Sequence, residues 1–217
     1  MNQKSGIVVL ISGSGSNLQA IVDQVQQGNI DGEIRAVISN RADAFGLERA
    51  RTAGIPAIIL DHRVFASREA FDQTLARTIE AFTPEVVVMA GFMRILTPEF
   101  VQQFMGRLIN IHPALLPKYK GLNTHQRAID AGDKEHGCTV HFVTPELDDG
   151  PNIIQAVVSI TADDDAKSLS VKVQQQEHII YPLAVKWFTE KRLSMIKGQA
   201  YFDGNILEQY GKIIDAR

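Results

Sequence analysis

Cysteine is nearly absent: one residue of 217, Cys138, carries a thiol. A single sulfur cannot close an internal disulfide or build a cysteine-based zinc ribbon, so the chain reads as one made for a reducing compartment, the cytoplasm. Cys138 itself reads as a small residue on a partly buried strand rather than a nucleophile. Long apolar runs are missing too. The run nearest the start, Ile7-Val8-Val9-Leu10-Ile11, has five residues, far from the roughly 18 to 20 needed to span a bilayer. It lacks a cleavage pattern as well and reads as a first buried strand, not a signal-peptide core. Positive charge is not in excess: 22 Lys and Arg stand against 25 Asp and Glu, a net charge of −3. Neither nucleic acid nor a membrane surface is therefore expected as a partner. The six histidines (62, 112, 125, 136, 141 and 178) show no His-Glu-x-x-His spacing, and no metal is expected. Repeats, low-complexity tracts and linkers are also lacking, and the length suits one domain, 1–217.

What is present is an alternation of short apolar runs with helical patterns, which predicts an α/β fold on a mostly parallel sheet. Strands are predicted at 7–12, 34–39, 57–60, 85–90 and 107–111. Helices are predicted at 17–27, 45–53, 67–82 and 97–104, with Ser67 as an N-cap and Thr97-Pro98-Glu99 as a helix start. The pattern then changes. A helix at 122–131 is followed by strands at 137–143 and 152–159 with no long crossover between them, so these two are expected to be antiparallel additions. The longest helical pattern, 166–188, contains Tyr181-Pro182, where a kink or an end is expected. Asp163-Asp164-Asp165 before it suits the helix dipole. Tyr201-Phe202-Asp203-Gly204 in the tail predicts a hairpin.

Two stretches carry chemistry. Asn110-Ile111-His112-Pro113 ends a predicted strand, and residues two apart on a strand face the same side. Pro113 cannot donate to a ladder, so the strand should stop there, leaving an amide and an imidazole at a carboxyl end. Ligands of open α/β sheets bind at such ends. Glu146-Leu147-Asp148-Asp149-Gly150-Pro151 adds carboxylates on a turn. Amide, imidazole and carboxylate suffice to move a proton during attack on a carbonyl. His141 alternates with Thr139 and Val143 and either points into the same cleft or is satisfied in the core. The second stretch, Ser12-Gly13-Ser14-Gly15-Ser16-Asn17-Leu18, lies between the first strand and helix. It lacks the third glycine of a dinucleotide fingerprint and the lysine of a P-loop. It reads as a site for one phosphate of a small substrate, or as a tight turn capped by serine.

With Ile-Ser-Gly-Ser-Gly-Ser-Asn-Leu-Gln-Ala-Ile (11–21), Ala-Gly-Phe-Met-Arg-Ile-Leu (90–96), Asn-Ile-His-Pro-Ala-Leu-Leu-Pro (110–117) and Val-His-Phe-Val-Thr (140–144) running into Glu-Leu-Asp-Asp-Gly (146–150), the chain resembles the folate-dependent formyltransferases over about 7–188. The glycine-serine loop is similar to that of the branch that formylates glycinamide ribonucleotide in purine synthesis. The chain departs from the pattern at Ala114, where many members have Ser, and at Asn123, where some have His. The resemblance implies an open, mostly parallel, twisted Rossmann-like sheet with helices on both faces and antiparallel additions in the C-terminal part. A phosphate-binding half would span about 1–100 and a folate and catalytic half about 101–190, before a variable tail, 191–217. Its length leaves room for neither the extra C-terminal domain of transfer-RNA formyltransferases nor the N-terminal one of formyltetrahydrofolate deformylases.

The same resemblance implies 10-formyltetrahydrofolate as co-substrate and glycinamide ribonucleotide as acceptor, without a metal, in a monomer or homodimer. Asn110, His112 and Asp148 would be catalytic, with Asp148 holding His112 charged. Ser14, Gly15, Ser16 and Asn17 would bind phosphate, and Gln174 and Glu177 the rest of the ribonucleotide. Arg68, Met93, Arg94, Ile95, Leu96 and Asn110, with Thr144, Pro145, Glu146 and Leu147, would line the folate site. Two other readings fit part of this pattern: a hydrolase of the formyl folate with an idle phosphate loop, and a binding module without turnover.

Overall fold

A computed structural model describes residues 4–217. Its main sheet has eight strands, and five of them form a parallel run. In spatial order these are β3 (Ala57–Ile59), β2 (Gly32–Ser39), β1 (Ser5–Ile11), β4 (Val86–Met89) and β5 (Leu108–His112). The chain moves outward from β1 to β3, then returns to the far side of β1 as β4. That reversal opens a crevice at the carboxyl ends of β1 and β4. As expected, β6 (Glu135–Phe142) and β7 (Asn152–Ser159) extend the sheet antiparallel beyond β5.

Strand alternation divides the core in two. Ile7, Val9 and Ile11 of β1 face α1 (Ser16–Gln26), α2 (Gly46–Thr52) and α6 (Ala166–Thr189), whereas Val8 and Leu10 face α3 (Arg68–Glu80) and α4 (Pro98–Gln103). The strands are apolar on both sides because helices cover both. Ser67 caps α3 and Thr97 caps α4 as the sequence suggests, each accepting from the backbone three residues on. The predicted 122–131 helix is the shorter α5 (Thr124–Asp130). A single 3-10 turn, His62–Val64, follows β3.

Two expectations need correction. Pro182 does not end the last helix: α6 runs unbroken from Ala166 to Thr189, opened by an Asp165–Ser168 capping box. A proline inside a helix costs about 3 kcal/mol. Burial of Ile180, Tyr181, Ala184 and Val185 around it outweighs that, at about 1.5–3 kcal/mol for each large side chain. The Tyr181 hydroxyl also donates to the carbonyls of Met89 and Ile109, at 3.0 and 3.1 Å, tying the helix to the sheet. The tail is more than a hairpin. Asp203-Gly204 does turn β9 (Gln199–Phe202) into β10 (Asn205–Ile206), with β8 (Leu193–Ile196) alongside. The chain then returns as β11 (Lys212–Asp215), parallel to β7, and closes the main sheet.

Candidate active site

Leu108, Asn110 and His112 lie on one side of β5, opposite Ile109 and Ile111, so the two polar side chains do face one place. Antiparallel pairing sets His141 of β6 directly across from Asn110. Their side chains meet at 3.3 Å, Asn110 Nδ2 to His141 Nε2. The other ring nitrogen, Nδ1, lies 2.8 Å from the Phe142 carbonyl, which can only accept, so Nδ1 carries the hydrogen. Burial holds the ring neutral, with its pKa pushed down to about 4. Nε2 therefore offers a lone pair to one Asn110 N–H, and the second N–H of that amide stays free for a ligand.

His112 is 5% exposed. Its Nε2 donates to the Tyr119 carbonyl at 2.9 Å, which leaves Nδ1 facing Asp148 Oδ2 at 3.4 Å. That carboxylate oxygen also accepts from the Gly121 N–H at 2.9 Å, and Asp148 Oδ1 lies 3.9 Å from His141 Nε2. Asn110, His112 and Asp148 thus come together from β5 and from the 143–151 loop. Asp148 holds a left-handed backbone (φ 48°), an unfavourable state for a residue other than glycine. Gly150 must be glycine, since a Cβ there would overlap the Phe142 carbonyl. Sequence reasoning missed the Tyr119 carbonyl and the Gly121 N–H, backbone groups that carry no signature in residue type.

The glycine-serine loop forms one wall of the β1/β4 crevice, a cleft of about 520 Å³. Gly15 caps α1 with φ 71°, and a Cβ on it would strike the Gly46 backbone. No side chain satisfies the first amides of α1, the arrangement that attracts an anion. From α6, Gln174 Nε2 donates to Ser16 Oγ at 3.2 Å, and Asn17 Nδ2 donates to Glu177 Oε2 at 2.8 Å. Gln174 and Glu177 therefore sit on the loop, and burial raises the Glu177 pKa. Ser12 Oγ donates to Asn40 Oδ1 at 2.6 Å and accepts from the Met93 N–H at 2.8 Å, joining this wall to the next segment.

In that segment Met93 is 73% and Ile95 62% exposed, and Leu147, next to Asp148 in the 143–151 loop, is 54% exposed. Exposed apolar side chains beside a polar centre suit a flat organic ligand. Arg94 stacks its guanidinium over Phe71 and has a buried Nε without a partner, as has Thr144 Oγ1. Arg68 is exposed at the start of α3, and Pro145 and Glu146 are exposed in the loop. Leu96 differs: it is packed with Phe92 and Phe100 in the α3/α4 core, so its side chain is structural. Cys138 is fully buried and its thiol pKa is raised by that burial, which suits packing and not nucleophilic attack. Among the described residues no three His, Cys, Asp or Glu side chains stand where they could share a metal ion. No helix among the described residues is long and apolar enough to cross a membrane.

The buried histidines give a pH prediction. His136, like His141, is held neutral by burial with its pKa at about 4, against 6.5 in an unfolded chain. Between those values the unfolded chain binds more protons, so stability falls as pH drops from about 6.5 to about 4 and is unaffected by these groups above. Thermal melts across that range should show the fall. A flat profile would mean that other groups compensate or that these rings are charged when folded.

The family profile described as "Formyl transferase" matches residues 5–185. Phosphoribosylglycinamide formyltransferase of Escherichia coli K12 is 56% identical over 209 residues, covering 96% of this chain and 99% of that one. The human trifunctional purine biosynthetic protein adenosine-3 is 43% identical over 85% of this chain but only 18% of its own length. The solved phosphoribosylglycinamide formyltransferase of Coxiella burnetii superposes with a TM-score of 0.94 at 52% identity, covering 98% of this chain and 100% of that one.

Proposed function

The chain belongs to the formyl transferase family, and we infer from this that it moves the formyl group of 10-formyltetrahydrofolate to the amine of glycinamide ribonucleotide. The products are formylglycinamide ribonucleotide and tetrahydrofolate, a step of purine synthesis. The observation that carries this reading is a donor-rich anion wall after β1 and an Asn110/His112/Asp148 centre at the carboxyl end of β5, which lies parallel to β1 and two strands away in the same sheet. The formyl folate supplies an already activated formyl carbon, and no metal is required.

The residue roles are our proposal. The amides that open α1 and the side chains of Ser14, Ser16 and Asn17 receive the phosphate. Gln174 and Glu177 hold the sugar and amine end, and Asn17 Oδ1, buried without a partner, is an acceptor for a donor of the ribonucleotide. Met93 and Ile95 with Leu147 cover the folate rings, and Arg94, Arg68 and Thr144 supply polar contacts. Asn110 donates its free N–H to the oxygen that gains negative charge when the amine attacks. His112 Nδ1 and Asp148 share the proton that leaves the amine and pass it toward the departing folate nitrogen. The whole of 1–217 is read as one formyltransferase domain, a monomer or homodimer. A cytoplasmic setting completes the proposal, supported by a single buried thiol that needs no oxidising compartment.

The experiment is the rate of folate deformylation by purified protein with and without glycinamide ribonucleotide. Fast turnover only with the ribonucleotide is expected. Equal release of formate without it would make the protein a hydrolase and leave the loop idle.

A further inference from the structure

The Arg49 guanidinium beside the anion wall is engaged with the Ser14 carbonyl and with Gln19, and Arg49 does not line the cleft. The donors that the loop and α6 turn to the cleft are backbone amides, serines and the amides of Asn17 and Gln174, all neutral. A phosphate monoester carries about −1.5 to −2 near neutral pH. Of the residues lining this cleft, Arg41 alone has a permanent cation, and His62 alone can titrate. Arg41 follows the carboxyl end of β2, and its backbone is fixed: Ser39 Oγ accepts from the Arg41 N–H at 3.1 Å and donates to the Arg41 carbonyl at 2.8 Å. The segment beyond it is pinned to the loop, since the Gly46 N–H donates to the Gly13 carbonyl at 3.0 Å and Arg49 Nε to the Ser14 carbonyl at 2.8 Å. Arg41 therefore stands in a set relation to the proposed phosphate site.

Its guanidinium is engaged elsewhere in this structure. Nε and one terminal nitrogen form a fork on Asp43, at 3.0 and 2.7 Å, on an exposed surface. Asp43 belongs to a neighbouring depression, where Arg63 forms a similar fork on Asp61. The two pairs differ. Asp61 is fixed as the cap of the 3-10 turn and Arg63 does not line the phosphate cleft, whereas Arg41 lines both hollows. An exposed carboxylate partner is weakly held, and a phosphate dianion presents the same fork geometry with more charge.

We propose that Arg41 is a substrate-binding residue that exchanges Asp43 for the phosphate of the ribonucleotide, with Asp43 acting as a built-in competitor. The inference rests on the proposed function and adds a counter-charge that lines its acceptor site. It also predicts opposite signs for two neighbouring substitutions. Arg41→Ala should weaken glycinamide ribonucleotide binding by about 10- to 100-fold, the range for a charge-assisted fork. Turnover at saturation and the KM for the folate should stay within twofold. Asp43→Asn should tighten ribonucleotide binding a few-fold, and should have no effect when Arg41 is already alanine.

The test is calorimetric titration of the full chain and its variants with glycinamide ribonucleotide, with steady-state KM and kcat for both substrates. Melting temperatures within a degree or two of wild type establish that these exposed substitutions leave the fold intact. Unchanged binding by Arg41→Ala, with wild type binding normally, overturns the role of Arg41 and leaves the function standing. Weaker binding by Asp43→Asn overturns the competitor role, since Asp43 would then be positioning Arg41. Absence of ribonucleotide binding by the wild-type protein overturns the function and this inference with it.

Discussion

Asn110→Ala should slow formyl transfer at saturating substrates by about 10²–10³-fold, the usual cost of one lost oxyanion donor, while folate affinity changes little. The geometry accounts for the split. One N–H of the amide is held on the lone pair of His141 Nε2, and His141 is fixed by the Phe142 carbonyl and kept neutral by burial. The second N–H is thus aimed before any ligand arrives. A donor that needs no reorganisation favours the charged oxygen of the transition state over the neutral formyl oxygen of the ground state. Removal should then lower kcat more than it raises KM. Measured kcat and folate KM decide the matter: turnover near wild type refutes the role, and a pure KM effect makes Asn110 a ground-state contact only.

Much of this centre was legible in the chain because it depends on local geometry. The spacing of Asn110 and His112 puts them on one strand face whatever the rest does, and Pro113 ends the strand wherever it is placed. The glycine-serine loop reads as a βα turn for the same reason. The remaining groups depend on tertiary register. His141 meets Asn110 only because β5 and β6 pair antiparallel in one register, set across a connection of more than twenty residues. Spacing along β6 left it between cleft and core, and it serves both, buried and bonded to a site residue. The Tyr119 carbonyl and the Gly121 N–H could have come from any residue type. Arg41 carries no local sign of its place on the cleft wall, which comes from β2 lying beside β1. In the fold, Pro182 signalled a kink or an end, and the buried side chains around it carry the helix past it to Thr189. Likewise β11 is four residues with no alternation of their own, recruited by the open edge of β7.

Asp148→Asn should be as damaging as the loss of Asn110, at least about 10²-fold in kcat, the lower end of what a positioned proton-transfer group contributes. The substitution preserves shape. An asparagine oxygen in the place of Oδ2 still accepts from the Gly121 N–H, so the 143–151 loop keeps its anchor. What disappears is the negative charge 3.4 Å from His112 Nδ1. The Nε2 hydrogen of His112 is committed to the Tyr119 carbonyl, so Nδ1 is the nitrogen left to share a proton with the reaction. Without the carboxylate, that proton has neither a charged neighbour to stabilise it nor a base to receive it. The pH dependence of kcat/KM should therefore change shape as well as height, which a purely structural defect would not produce. Asp149 supplies the internal control: one residue on, it is exposed and paired with Lys120. Asp149→Asn should leave kcat within a few-fold of wild type. If instead Asp148→Asn is nearly wild type and Asp149→Asn is crippled, the acid–base role belongs to Asp149 and the loop must turn over when substrates bind.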